Sequence, residues 1–216
     1  MIHRCVSLPK QPQILEAGCG YGGNLAMLAQ FGNLNAFEFE DRARAYASTL
    51  LKQPVTYGSL PDNIGFDNES FDLVAILDVL EHIDDDVGSL SALGERLNDD
   101  GSILITVPAL PWLWSEHDES HHHKRRYTKA SLTKVLQDAG CELENIGYFN
   151  TLLFPLALIQ RIALKLFGGK NTINNMPGGF VNDLFSKIFT FERRLVGRVN
   201  LPVGLSLYAV ARRVRR

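Results

Sequence analysis

Between His117 and Thr128 the chain reads HDESHHHKRRYT, placing four of its six histidines and three consecutive cations within one short stretch. Imidazoles that titrate near neutral pH suit proton transfer, and a carboxylate such as Asp118 suits the job of orienting one. Two or three imidazoles with a carboxylate also make a metal-ligand set, but adjacent histidines rarely converge on one ion, and no metal is expected. A second reactive stretch reads EAGCGYGG. Gly18, Gly20 and Gly22 permit a tight turn and let a ligand approach the backbone. Glu16, two residues before the first glycine, would repel a pyrophosphate but suits a cationic ligand. Glu38 follows 20 residues after Gly18, the usual place for an acid that grips ribose hydroxyls. A third stretch, LDVLEH, gathers Asp78, Glu81 and His82. Cys19 has no activating neighbour in the sequence and reads as a small loop residue, not a nucleophile.

These groups need a frame, and the hydropathy pattern supplies one. QILEAG, LNAFEFE, PVTYGS, FDLVAIL, SILITVPA, CELENIGYFN and SLYAVARR read as strands. NLAMLAQFG (closed by Gly32), RARAYASTLLKQ, VGSLSALGERLNDDG (stopped by Gly101) and TKASLTKVLQDAG read as helices between them. Apolar strands alternating with short helices imply an α/β, Rossmann-like doubly wound sheet covered on both faces. In such sheets ligands sit at the carboxyl ends of the strands, where all three reactive stretches fall.

With 216 residues, 45% apolar and 21% charged, the chain has the composition of one globular domain. Cys5, Cys19 and Cys141 are too few and scattered for a disulfide framework, which fits a reducing, cytoplasmic setting. No signal-peptide pattern opens the sequence, and no apolar run reaches the roughly 18 residues a membrane span needs. The net charge of -2 conceals a gradient: up to Gln160 there are 22 acidic and 11 basic residues, whereas beyond it 11 basic residues face only Asp183 and Glu192. The segment 151–205 carries two basic, amphipathic stretches. They read as helical segments that pack as a lid, form a dimer contact, or touch a membrane peripherally.

At ILEAGCGYGGN, AFEFED, SFDLVAILDVLEHIDDD and RLNDDGSILITVPA the chain resembles, in order, four motifs of the class I S-adenosylmethionine-dependent methyltransferases, over roughly residues 13–150. The resemblance implies a seven-stranded, mostly parallel sheet with an antiparallel last strand at 206–213, a helical insertion at 151–205 preceding that strand, and S-adenosylmethionine as cofactor. It implies a cofactor site made of Glu16, Gly18, Cys19, Gly20, Gly22, Asn24, Glu38, Phe39, Ser59, Leu60, Asp78, Val79 and His82. In that site Gly18 and Gly20 line the methionine moiety, Glu38 binds the ribose diol and Ser59–Leu60 lie beside the adenine. Family members commonly carry Asp where this chain has Ser59. The run VPALPWLWSEHDESHHHKRRYT is similar to the loop after the fifth strand in one subgroup (methyltransferase type 11/12-like), where His122 stands in place of a usual glycine.

On that pattern the loop overhangs the transferable methyl group. His117 or His123 is the expected base, with Asp118 orienting it, Arg125 and Arg126 holding an acidic substrate group, and Arg126 with Tyr127 alternatively anchoring the loop. The acceptor is expected to be a small, saccharide-related or lipid-linked molecule. Nucleic acid fits poorly, because the first 160 residues are acidic and lack an aromatic-basic strip. Two other classes share the architecture. A nicotinamide-dependent oxidoreductase is opposed by Glu16 and by the missing G-x-G-x-x-G, and a non-catalytic binding scaffold would keep the fold without turnover.

Overall fold

The computed structural model describes residues 2–156, 158–159, 187–192 and 194–214. In chain order the elements are α1 (Ile2–Cys5), β1 (Gln13–Ala17), α2 (Leu25–Leu28), β2 (Asn33–Glu38), α3 (Asp41–Ala47), β3 (Thr56–Tyr57) and β4 (Phe71–Leu77). There follow α4 (Asp86–Gly94), β5 (Leu97–Pro108), α5 (Glu116–Ser120), α6 (Lys129–Asp138), β6 (Cys141–Phe149) and β7 (Ser206–Arg213). Single 3-10 turns cover Leu80–His82 and Pro111–Leu113. The seven strands form one sheet in the order β3-β2-β1-β4-β5-β7-β6. β7 runs antiparallel to both of its neighbours and the pairings from β3 through to β5 are parallel. The α/β class, the seven strands and the antiparallel closing strand are as the sequence led one to expect.

Strand side chains alternate between two cores. Leu15, Val74, Ile76, Ile103 and Ile105 enter one, while Ile14, Leu73, Ala75 and Leu104 enter the other. That two-residue period turns a continuous apolar run into a strand buried on both faces. The helices start on side-chain caps. Glu40 accepts from the Ala43 amide at 2.6 Å, Asp85 from Gly88 at 2.7 Å, and Thr128 from Ser131 at 3.0 Å.

One element departs from expectation. The helix read over 87–101 ends at Gly94, and Leu97–Gly101 belongs to β5. Leu90, Leu93 and Leu97 keep a helical spacing, so periodicity alone carries the helix too far. Pairing wins: the Phe71 amide donates to the Arg96 carbonyl at 2.8 Å, and Leu97 sits opposite Phe71 in the ladder. Helices α2 and α3 also close earlier than their apolar patterns, at Leu28 and Ala47, and turns complete them.

The order of strands reverses between β1 and β4, opening a crevice at their carboxyl ends. The His-rich stretch leaves β5 at this same end and forms an arch over 110–126. Its neck is stitched: Tyr127 donates its amide to Pro108 at 2.9 Å, and Leu110 donates to Tyr127 at 2.9 Å. The middle of the expected insertion, 160–186, lies outside the described residues, and so does most of the first amphipathic stretch.

Candidate active site

The glycine turn follows β1. Gly18 has φ +69°, and a Cβ placed there would meet Val79 Cγ1 at 2.9 Å, so the turn fits against the end of β4 only without a side chain. Gly20 has φ +53° and donates its amide to Glu38 Oε2 at 2.8 Å, while the Glu40 amide reaches Glu38 Oε1 at 2.9 Å. Glu38 is thereby fixed at the tip of β2, with lone pairs left for a diol. Phe39, beside it, is 65% exposed and presents an open aromatic face at the crevice edge. Ser59 exchanges two backbone hydrogen bonds with Asn63, at 2.6 and 2.8 Å, which holds Ser59–Leu60 in a tight loop after β3.

Glu16 is buried, and its Oε2 has no hydrogen-bond partner. Burial pushes its carboxyl up to about 7, against a downward pull from the Asn24 side chain. A buried acceptor left short of donors costs free energy unless a ligand supplies one. A ligand carrying an ammonium group beside the glycine turn would supply it. Cys19 is also buried, and burial followed by Glu16 and Glu38 drives its thiol up to about 12, which removes it as a nucleophile.

At the end of β4, Asp78 adopts φ +54°, strained for a non-glycine residue, and donates its amide to Thr106 at 3.0 Å. Its carboxyl is reachable by solvent at the mouth yet crowded by protein. That crowding raises its pKa, against the Thr106 side chain and His123. The 3-10 turn that follows buries Glu81 and leaves His82 half-buried. Glu81 Oε2 has no partner either, and burial lifts this carboxyl to about 8. His82 is held below the usual imidazole range, first by burial and then by His123.

The arch is organised around Asp118, which is fully buried. Its Oδ1 accepts from Arg126 Nε at 2.6 Å and lies 3.0 Å from His123 Nδ1, and its Oδ2 accepts from the Ser115 amide at 2.9 Å. Burial would raise its pKa, but the bonds from Arg126 and His123 outweigh that and hold the carboxyl below the usual range. An ionised Asp118 only accepts, so His123 Nδ1 carries the hydrogen and the free lone pair of a neutral ring is on Nε2. That atom faces Glu81 Oε1 at 4.0 Å. His82 and His123 meet edge to face, 4.8 Å between ring centres.

The other arch residues are placed differently. His117 is exposed and its ring lies 4.1 Å from that of His121 in a tilted arrangement, with its pKa lowered first by partial burial and then by His121. Arg126 also donates to the Ala109 carbonyl at 3.0 Å. Arg125 donates to Asp86 Oδ2 at 2.9 Å and to the Asp84 carbonyl at 2.9 Å. Tyr127 is buried, donates its hydroxyl to Asp86 Oδ2 at 2.9 Å, and has its pKa pushed well above the phenol range by burial and by Asp86. Both arginines and the tyrosine thus spend polar atoms on the protein itself. His122 takes φ +56°, so the bend that glycine would make easily is kept here at some strain.

Sequence reasoning did not carry Glu81 or Asp86 into the site. The signal for Asp86 lay in the run DDD at 84–86, opposite in charge to KRR at 124–126. Lys124 pairs with Asp84 and Arg125 with Asp86.

The Methyltransferase domain family model matches residues 1–146. No curated protein sequence matches the chain. Among solved structures it is similar to geranyl diphosphate C-methyltransferase from Streptomyces coelicolor A3(2), with TM-score 0.66 and 13% identity over 99% of this chain and 78% of that one. It is also similar to an S-adenosylmethionine-dependent methyltransferase from Mesorhizobium loti (0.61, 14%, 95% and 94%). A third likeness is to a TehB-like methyltransferase from Corynebacterium glutamicum (0.57, 18%, 95% and 82%). The Streptomyces enzyme was solved with S-adenosyl-L-homocysteine. A glycine turn beside an unsatisfied buried carboxylate, a fixed Glu38 and a strand order that reverses above them fit that ligand. The chain belongs to the methyltransferase-domain family, with the Rossmann-like fold and S-adenosylmethionine cofactor of its class I members.

Proposed function

We propose that the protein transfers a methyl group from S-adenosylmethionine to a small acceptor with an apolar part, lipid-linked or saccharide-related, held between the arch and the ends of β4 and β5. When bound, the cofactor supplies a methyl on a sulfonium: the acceptor's lone pair forms the new bond to carbon, and sulfur keeps the old pair as a thioether. Gly18 and Gly20 with Glu16 and Asn24 would hold its amino-acid end, Glu38 its ribose, and Phe39 with Ser59–Leu60 its base. Asp78, Val79 and His82 would lie toward its reactive end.

Removing the acceptor's proton falls to the cluster under the arch, and His123 is its oriented member. Of the two histidines singled out in the sequence, His123 alone is gripped by Asp118, so the geometry favours it over His117. Arg126 and Tyr127 act as positioning residues, through Asp118 and Asp86. Trp112 is 61% exposed and meets Phe154 edge to face at 6.3 Å, which supports an apolar surface where the arch adjoins the C-terminal segment. Peripheral contact with anionic membranes through 151–205 belongs to the same proposal. No helix among the described residues is long and apolar enough to cross a membrane.

The observation that carries the reading is the buried Glu16 carboxylate beside the glycine turn, whose Oε2 has no partner. A nicotinamide dinucleotide would bring its pyrophosphate against that charge. Calorimetric titration of the purified protein with S-adenosylhomocysteine and with NADH tests the reading: heat from the first and none from the second is expected, and the reverse refutes it. Methyl-labelled cofactor with hydroxylated amphiphiles, with and without anionic vesicles, then tests the acceptor class.

A further inference from the structure

Two buried carboxylates among the described residues have an oxygen without any partner: Glu16 and Glu81. Cofactor binding at the glycine turn accounts for the first and leaves the second unexplained. Glu81 is 1% exposed, and its carboxylate shares a small space with two imidazoles. One ligand atom each from Glu81, His82 and His123 lies within 4.8 Å of the others. Only one of the three adjacent arch histidines, His123, is among them. Two come from the turn after β4 and one from the far end of the arch, so the set exists only once the chain is folded.

We propose that Glu81, His82 and His123 hold a divalent first-row transition ion such as Zn2+, Mn2+ or Co2+, which binds the acceptor through oxygen. Two imidazoles and one carboxylate select such ions over Mg2+ or Ca2+, and they leave coordination positions open. The surroundings are those of a supported ligand set. Asp118 holds His123 through Nδ1 at 3.0 Å, which directs Nε2 into the cluster, and Arg126 and Ser115 hold Asp118 in turn. The turn carrying Glu81 is tied to the arch by the Lys124 amide, which donates to the Glu81 carbonyl at 2.8 Å. Ligands about 2.0–2.2 Å from an ion lie roughly 3–3.5 Å apart, so loading draws the three atoms together by about 1 Å.

The consequence concerns the acceptor and rests on the methyltransferase reading above. With Nε2 on the ion His123 is a ligand in place of the base: an acceptor hydroxyl bound to the ion releases its proton to water more readily, and the oxygen is presented for attack without a free base. Acceptors with a second oxygen beside the first, a vicinal diol or a hydroxy acid, would chelate.

The test uses the full chain, dialysed against a chelator and titrated with Zn2+, Co2+ and Mn2+, with S-adenosylhomocysteine titrated in parallel. One ion per chain is expected. His82→Ala and His123→Ala should each weaken it by at least about 100-fold, beyond the roughly 10–100-fold that losing a supporting partner costs, as in Asp118→Asn. His121→Ala should bind the ion as the parent does, and His123→Ala should keep its affinity for S-adenosylhomocysteine. Ion binding that survives His82→Ala and His123→Ala, or is absent from the parent while S-adenosylhomocysteine binds, overturns the metal site and leaves the cofactor reading standing. Ion binding without S-adenosylhomocysteine binding supports the metal site and removes the cofactor reading. Where a variant does not fold, X-ray absorption of the zinc-loaded parent decides: two imidazoles in the first shell support the proposal, and one or none defeats it.

Discussion

Glu16 and Asp118 are both buried carboxylates near the ends of parallel strands, yet their surroundings are opposites. Asp118 collects Arg126, His123 and the Ser115 amide, and its pKa falls. Glu16 has Asn24 on one side and nothing on Oε2, and its pKa rises to about 7. The saturated carboxylate shapes the protein, whereas the starved one costs stability and is left for a ligand. Glu81, lifted to about 8, shares the condition of Glu16.

The sharpest way to break this contrast is Asp118→Ala. It strands a buried arginine and frees His123, and should cost about 3–5 kcal/mol in chemical denaturation together with most of the methyl transfer. A loss below about 1 kcal/mol would mean that the network does not organise the arch. At the other carboxylate, the sign reverses with pH. The folded protein binds protons at Glu16 and Glu81 that the unfolded chain, with ordinary values of 4.5, does not. Their contribution is therefore complete below about 4.5 and fades as pH rises to about 7–8, with Glu16 alone worth up to about 3 kcal/mol. Glu16→Gln should flatten that decline in denaturation midpoints. It should also weaken S-adenosylhomocysteine, whose affinity in the parent should climb as Glu16 ionises; a steeper decline in the variant contradicts the assignment.

Gly18→Ala places a methyl against Val79 at φ +69°. The expected cost is about 1–2 kcal/mol of backbone strain and a comparable loss of cofactor affinity by calorimetry. The smallest change is expected at His117→Ala, where turnover should stay within a few-fold of the parent while His123→Ala nearly abolishes it. Equal losses would return the two histidines to the same footing.

The glycine turn, Glu38 at a strand tip and the closing strand 206–213 were legible because each depends on local chemistry: backbone freedom, strand-end position and a two-residue period. The sheet's handed-over partners were not. Nothing near Leu97 announces that Phe71 will capture it from a helical pattern. Likewise the sequence placed Glu81 and His82 only beside Asp78 at a strand end, since only the folded arch brings His123 over them. Asp118 was legible as an orienting acid, but which histidine it orients depended on the bend at His122. Arg125 was expected to face substrate. It meets Asp84 and Asp86 instead, a pairing across 39 positions for Asp86 that no local pattern encodes.

The stitched neck of the arch has a consequence for how such a protein can change. Because Pro108, Leu110 and Tyr127 close the base by main-chain bonds, the side chains above it are relieved of holding the sheet together. New residues could be written into the arch, altering what is methylated, while the half that grips the nucleoside went on unaware of the revision.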